Sequence, residues 1–414
     1  MILFSITPYI WSLEVIDHIS IQFFYFSIFN FVCFLFNISN LKSNKIEVEN
    51  LKKSKLLINL IVFVLFGLST YTFALNPNEV LVVFSRWFNV CLAVLNVFLL
   101  VSKFKNKWLI ISSIAVITLT IEVFFTLTQF YSIISVYKYD FSYAFRLLGL
   151  ASNKNVNAAS IVSKLPFLLY FIHFYKNKLV KSLSHIVLFS SVFSLMIISS
   201  RATFISLLFI VTVYLISYLF IKYEKNQFIV TVLPVLGLIF LAVLTPNILF
   251  ESNNSASLIN RVNTIVSGKD VSANSRLRYY SQAFESFKEN PILGIGLGNW
   301  KVESVKYDNK SMNGYVVQYH VHNDFLQNLA ELGVIGFLLY VLIFIQIGII
   351  NLKKFITSDL NSSSYFLAVL MSLGAYIVDS NLNFPQARLT NLVLFILLIV
   401  STIFSSLKIN NEAD

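Results

Sequence analysis

The sequence predicts an all-α polytopic membrane protein, and three observations carry that prediction. Apolar residues make up 57% of the chain and charged residues only 12%. Apolar runs of about twenty residues recur along it, each long enough to cross a hydrocarbon core about 30 Å thick. Lysines collect in every second connection between those runs, the bias of cytoplasmic loops. A soluble enzyme is excluded, and the net charge of +11 sits mostly in loop lysines, so it gives no sign of nucleic-acid binding.

Taken in order, spans are expected over residues 20–40, 56–76, 79–102, 108–131, 156–175, 182–200, 202–221, 228–250, 330–350, 363–380 and 389–407. The segment Ile2–Ile16 is apolar but short, holds Pro8, and has Glu14 and Asp17 at its end. It is a twelfth span or an interfacial helix, so eleven to twelve helices are expected. No interior stretch reads as a linker or soluble unit, so residues 1–414 are taken as one membrane domain with a large loop over 251–320. Cys33 and Cys91 fall inside apolar runs, which argues against a disulfide or thiolate metal site. The start lacks a basic region and a small-residue cleavage site, so no removable signal peptide is expected.

Orientation follows from Lys42, Lys45, Lys52, Lys53 and Lys55 in one connection and Lys103, Lys105 and Lys107 in the next but one. Lys176, Lys178 and Lys181, then Lys222 and Lys225, then Lys353 and Lys354, then Lys408 continue the alternation. With these inside, residues 251–320 face outward, along with 132–155, the tight turn at Arg201 and 380–388. All the arginines (Arg86, Arg146, Arg201, Arg261, Arg276, Arg278, Arg388) then lie outside or in the outer half of a span. A guanidinium's planar fork suits phosphate oxygens.

The outward loop gathers the chemistry. Leu277, Tyr280, Phe284 and Phe287 recur at helical spacing, with Asn274 or Ser275 as cap and Pro291 with the following glycines as terminator. Arg276 and Arg278 in its first turn oppose the helix dipole unless an anion binds there. Gly294-Ile295-Gly296-Leu297-Gly298 follows no strand, so it reads as a close turn and not a dinucleotide fingerprint. Asp324 with Gln327 resembles a capping box. That places His322 at the mouth of the next helix, where an imidazole of ordinary pKa near 6.5 suits a general base. His320 orients substrate or is simply exposed. Arg201, in Ser199-Ser200-Arg201-Ala202-Thr203, is a charge near hydrocarbon, expensive unless paired or used. Asp379 and Arg388 bracket the turn Ser380-Asn381-Leu382-Asn383-Phe384-Pro385. Asp379 either fixes the His322 tautomer or pairs with an arginine. Arg86, Glu122 and Lys164 lie at a common depth of roughly 10–14 Å from the outer end of their spans, so a buried charge cluster joining all three is expected, with a water-filled substrate cavity as the alternative.

The pattern Arg276-x-x-x-Tyr280, Pro291-x-x-Gly294-x-Gly296, His322-Asn323-x-x-Leu326, Glu331-x-Gly333-x-x-Gly336 resembles the O-antigen ligase/polymerase superfamily of bacterial membrane glycosyltransferases. Ser200-Arg201, Asn383-Phe384-Pro385 and Asn153-Lys154-Asn155 with Lys164-Leu165-Pro166 extend the likeness over about residues 140–390. Tyr280 stands where many members have tryptophan. The resemblance implies a GT-C-like helical fold in the bacterial inner membrane. It implies glycan transfer from an undecaprenyl diphosphate carrier to a sugar hydroxyl at the periplasmic face. At matched positions it makes Arg201 and Arg276 diphosphate ligands and His322 catalytic. Arg278, His320, Asp379, Arg388, Asn153, Lys154 and Asn155 are the further substrate-binding candidates. The chain has no Asp-x-Asp pair to hold a metal against a sugar diphosphate. Arginines are expected to neutralise the leaving group instead, with no metal or other cofactor. Attack opposite the diphosphate would invert the anomeric centre. The expected partners are the lipid-linked glycan donor, a glycan acceptor and membrane lipids. A lipid A–core acceptor (a ligase) is the first reading and a lipid-linked repeat (a polymerase) the second. A transporter of lipid-linked sugar is the third, weakened by charges crowded at the rim and by the lack of an internal repeat.

Overall fold

The structure is a computed structural model. It describes residues 6–10, 17–40, 42–137, 141–151, 153–220, 228–249, 271–308 and 318–407, and among these it is helical with no strand. The helices are α1 (His18–Ser39), a short α2 (Lys45–Lys52), α3 (Lys55–Ser69), α4 (Pro77–Val101), α5 (Lys107–Ile134), α6 (Lys154–Phe174), α7 (Lys178–Ile198), α8 (Arg201–Phe220), α9 (Leu233–Leu249), α10 (Val271–Glu289), α11 (Trp300–Asp308), α12 (Asp324–Thr357), α13 (Leu360–Leu382) and α14 (Leu389–Ser406). Ten described helices are long and apolar enough to cross a membrane, and the protein is a multi-pass membrane protein. They match ten of the eleven expected spans. The eleventh, near 228–250, corresponds to a shorter apolar helix over Val230–Pro246.

Two helices form the axis of the bundle. The apolar windows of α6 and α14 are each 94% buried, against 22% for α1, which therefore stands at the rim. Ala158, Ala159, Ser160 and Ser163 give α6 the small surface that lets neighbouring helices approach on all sides. Helix α13 packs against α6, α8 and α12. Gly374 of α13 admits the Phe209 ring of α8, since a Cβ there would sit 2.0 Å from it. Arg201 lies eight residues back from Phe209 on an antiparallel neighbour, so it is level with the 379–382 end of α13, about 12 Å from Gly374 at 1.5 Å per residue.

Four expectations are corrected by packing. Glu122 and Lys164 pair at 2.6 Å, with Ser160 donating to the same Glu122 oxygen at 2.6 Å. Arg86 is not part of this pair: its guanidinium lies 5.0 Å from the Phe23 ring centroid. Depth along a span fixes height but not azimuth, and Arg86 points to the other side of α4. Asn274 and Ser275 lie inside α10, which begins at Val271, while Leu277 and Phe284 point away from the protein at 64% and 46% exposure. The face that packs inward carries Tyr280, Gln282, Ala283 and Ser286. The cap of α12 is Asn323, whose side chain accepts from Leu326 N at 3.0 Å. Asp324 instead accepts from Gln386 N at 3.1 Å. Of the Ile2–Ile16 segment, the described part is one 3-10 turn over Thr7–Tyr9. Tyr9 donates to Glu122 at 2.6 Å, so this turn reaches into the bundle and does not lie along the interface.

Helix α12 starts six residues before the expected span and is broken at Gly333 (φ 61°, ψ −166°). A break in a helix this deep frees backbone groups that must find other partners. The turn after α10 supplies them. Ile295 N and Gly296 N donate to the Ala330 and Glu331 carbonyls at 3.1 and 2.8 Å, and Val334 N donates to Pro291 O at 2.9 Å. The contact is backbone on backbone: a Cβ at Gly294 or Gly333 would fall 2.3–2.4 Å from main-chain atoms of the other segment. Both glycines also have positive φ, so the sequence needs glycine there on two counts. The Glu331 carboxylate accepts from Gly298 N (2.8 Å) and Trp300 N (3.2 Å), holding the start of α11.

Candidate functional site

The site forms where α10, the residues leading into α12 and the turn between α13 and α14 meet. His322 is a non-glycine residue in the left-handed region (φ 61°), a conformation that persists only under outside constraint. Tyr280 supplies that constraint. Its hydroxyl lies 3.1 Å from the His322 carbonyl and 2.8 Å from that of Asn381, sharing one proton between them. Phe384 packs edge-on against the His322 ring at 4.9 Å and stacks on His320 at 4.4 Å and 13°. Tyr279 stacks on the other side of His322 at 6.2 Å. The imidazole is thus clamped, yet its Nδ1 is buried without a hydrogen-bond partner among the described residues, as is Nδ1 of His320.

Cations surround these rings. Arg276 donates to Asn383 Oδ1 at 3.4 Å. Asn383 in turn donates to Asp379 at 2.6 Å, and Asn391 donates to the other Asp379 oxygen at 2.9 Å. Asp379 therefore orients the residue that meets Arg276, and its described bonds go to these two asparagines and not to His322. Arg388 lies 5.0 Å from the Phe384 ring centroid, and its Nε is buried without a hydrogen-bond partner among the described residues. Arg278 lies 5.2 Å from the Tyr279 ring. Burial, then Arg276, then Arg388 push His322 down to about 4. Burial, then Arg388, then His322, with a smaller push from Arg86, bring His320 to about 3. Both imidazoles are neutral at pH 7.

Behind His320 is a cavity of about 50 Å³ bordered by Arg86, Gln327, Asn328, Glu331 and Gln386. Arg201 opens α8 directly after Ser199, itself left-handed (φ 53°). Its level places it in the layer of Asp379 and Asn383. Asn153 caps α6 by accepting from Asn155 N at 2.9 Å and Val156 N at 3.3 Å, which gives it a local structural task. Lys154 and Asn155 follow it, half-buried, in the first turn. Three residues to which the sequence assigned no role at the site complete the arrangement: Tyr279, Tyr280 with its backbone clamp, and Phe384, which touches both histidines and Arg388. The Asn-Phe-Pro turn was the one visible signal for Phe384. Among the described residues no three His, Cys, Asp or Glu side chains gather as metal ligands would.

The structure is thus a helical membrane bundle with arginines and two histidines of lowered pKa gathered at one end. Residues 186–341, less than half of the chain, match the family model described as O-antigen ligase. The exopolysaccharide production protein ExoQ of Rhizobium meliloti (strain 1021) is 25% identical over 112 residues, 26% of this chain and 25% of ExoQ. The match therefore spans a quarter of that relative's length. Over these residues the chain is similar to the O-antigen ligase family and to an exopolysaccharide production protein.

Proposed function

We propose that the protein transfers a glycan from undecaprenyl diphosphate to a sugar hydroxyl at the periplasmic face of the bacterial inner membrane. One observation carries this reading: a clamped, neutral imidazole with an open ring nitrogen set between Arg276 and Arg388. The acceptor hydroxyl gives its proton to His322 as its oxygen bonds to the anomeric carbon. The bond from that carbon to the phosphate oxygen breaks, and its electron pair leaves with the lipid diphosphate. Arg276 and Arg201 take up the charge on the leaving group, so no divalent metal is required. Donor binding also prepares the base. Arg276 and Arg388 depress the His322 pKa, and a diphosphate beside Arg276 cancels part of that field. The imidazole becomes more basic when there is a proton to take.

A lipid A–core acceptor, making the protein a ligase, is the first reading and follows the family's description. The likeness to an exopolysaccharide production protein favours a second, in which the acceptor is another lipid-linked repeat and the enzyme is a polymerase. Purified protein given a lipid-diphosphate-linked glycan and an acceptor, without ATP and with EDTA, should form the new glycosidic bond. Movement of intact donor without bond cleavage would instead mean a transporter. Activity lost in EDTA and restored by magnesium would defeat the arginine-based mechanism. Cysteines at Lys288 and Lys353 test the orientation. An impermeant thiol reagent on spheroplasts should label position 288 and spare 353.

A further inference from the structure

We infer that a second cavity, which shares Arg388 with the histidine cluster, holds the sugar ring of the acceptor; this rests on the transferase reading above. The cavity measures about 130 Å³ and is lined by Asp17, His18, Gln22, Ala151, Arg388 and Thr390. That is room for several waters, and the empty space of about 470 Å³ around it, part of it open to solvent, admits a sugar ring. Gln22 is the telling residue. It sits one turn into α1 with 6% of its surface exposed, lines this space, and makes no hydrogen bond to a described residue. Its amide atoms are not among the sealed polar groups, so they open onto the cavity, and an apolar side chain would serve packing better at this point of a rim helix. Arg388 Nε is also buried without a partner among the described residues.

The chemistry of the lining selects the ligand class. Asp17, whose carboxylate already accepts from Ile19 N, Ser20 N and the Ser20 hydroxyl, keeps lone pairs to accept with. Thr390, whose hydroxyl donates to Asn391 at 3.2 Å, can accept; Arg388 donates and Gln22 does both. Asp17 repels an anion and Arg388 repels a cation. A neutral ring bearing several hydroxyls meets all four. Position separates acceptor from donor. His322 feels Arg276 from α10 and Arg388 from the turn before α14. In-line displacement places leaving group and acceptor on opposite sides of the anomeric carbon. With the diphosphate on the Arg276 side, the Arg388 side is left for the acceptor. It also brings rim helix α1, outside residues 186–341, into the site.

The test uses full-length protein in detergent and the methyl glycosides of glucose, galactose and N-acetylglucosamine, read by saturation-transfer NMR and then as acceptors with a lipid-linked donor. Wild type should bind at least one glycoside saturably. Gln22→Leu and the near-isosteric Thr390→Val should each weaken that binding about tenfold, the loss of one or two buried hydrogen bonds, while His322→Ala retains it. In transfer, Gln22→Leu should raise the acceptor KM by a similar factor and leave the donor KM unmoved. No saturable binding by wild type, binding unchanged in both variants, or a shift in the donor KM instead overturns the acceptor cavity. Wild type that binds glycosides through Gln22 yet transfers nothing overturns the transferase reading, and the acceptor assignment with it. Normal transfer in both variants overturns the cavity alone.

Discussion

Two groups of buried charge in this bundle are built on opposite terms. Glu122 and Lys164 meet at 2.6 Å, and Ser160 and Tyr9 bond to the same Glu122 oxygen. Around His322 the positive charges of Arg276 and Arg388 converge, while His322 Nδ1, His320 Nδ1 and Arg388 Nε keep open hydrogen-bonding positions. The first group holds helices α5 and α6 together with its charges matched inside the protein. The second gathers two guanidiniums beside neutral imidazoles held by aromatic rings. Glu122 Oε2 of the first group is also buried without a partner, yet only the second leaves a charge, that of Arg388, unmatched by a direct ion pair among the described residues. A balanced cluster stabilises; an unbalanced one binds.

The sharpest way to break this contrast is a crossed pair of substitutions. Lys164→Ala leaves Glu122 buried and unpaired, which should destabilise the protein by about 3–5 kcal/mol in thermal unfolding while leaving the transfer rate per folded molecule near wild type. His322→Ala should do the reverse, lowering single-turnover transfer about 10²–10⁴-fold with donor affinity and unfolding temperature largely retained. A His322→Ala protein with near-normal transfer would sink the mechanism. Arg276→Ala should weaken donor affinity as well as turnover, and Arg276→Lys should recover only part, because an ammonium cannot reproduce the bidentate fork. Titration of donor binding against each variant separates the two.

Acid dependence gives a smaller, more diagnostic effect. His320 and His322 lie at about 3 and about 4, below the ordinary value near 6.5. Because the folded values are the lower ones, these groups contribute stability in full above about pH 6.5 and lose it as pH falls towards 4. Arg388→Gln removes a cation beside both rings, so both pKa values should rise, by about one unit if the lost field is worth ~1.4 kcal/mol. The acid limb of kcat/KM, set by His322 in the free enzyme, should move upward with it. An acid limb that stays in place would show that Arg388 does not act on His322. Smallest of all, Asn323→Ala removes the cap of α12 and should cost about 1 kcal/mol, seen as a modest drop in unfolding temperature.

The spans were legible because hydropathy over twenty residues is a strong signal, and the arginines were legible because charge is conspicuous in so apolar a chain. The polar first turns of α12 were only partly legible: the span was placed from residue 330 and Asp324 with Gln327 taken as a cap, yet Asp324, Gln327, Asn328 and Glu331 are all buried within the helix. Their polarity serves contacts with Gln386, Val321 and Gly298, distant in space from any local pattern. Arg86 misled for a related reason, since matching depth carries no information on which side of a helix a side chain points. Gln22 was invisible as well. One amide in an apolar helix looks incidental until the cavity beside it is seen.

The backbone pairing between residues 291–296 and the break at Gly333 has a consequence for how the chain is made. Synthesis runs from the N-terminus, so this strap emerges before the helix it completes. When residues 324–357 arrive, the exposed peptide groups on either side of Gly333 find a partner already waiting, and the helix never has to settle in lipid with those groups bare. The histidines lie between strap and helix in the chain. Asn381 and Phe384, which hold His322 from the turn between α13 and α14, are made later still, so the site is complete only once that turn is in place.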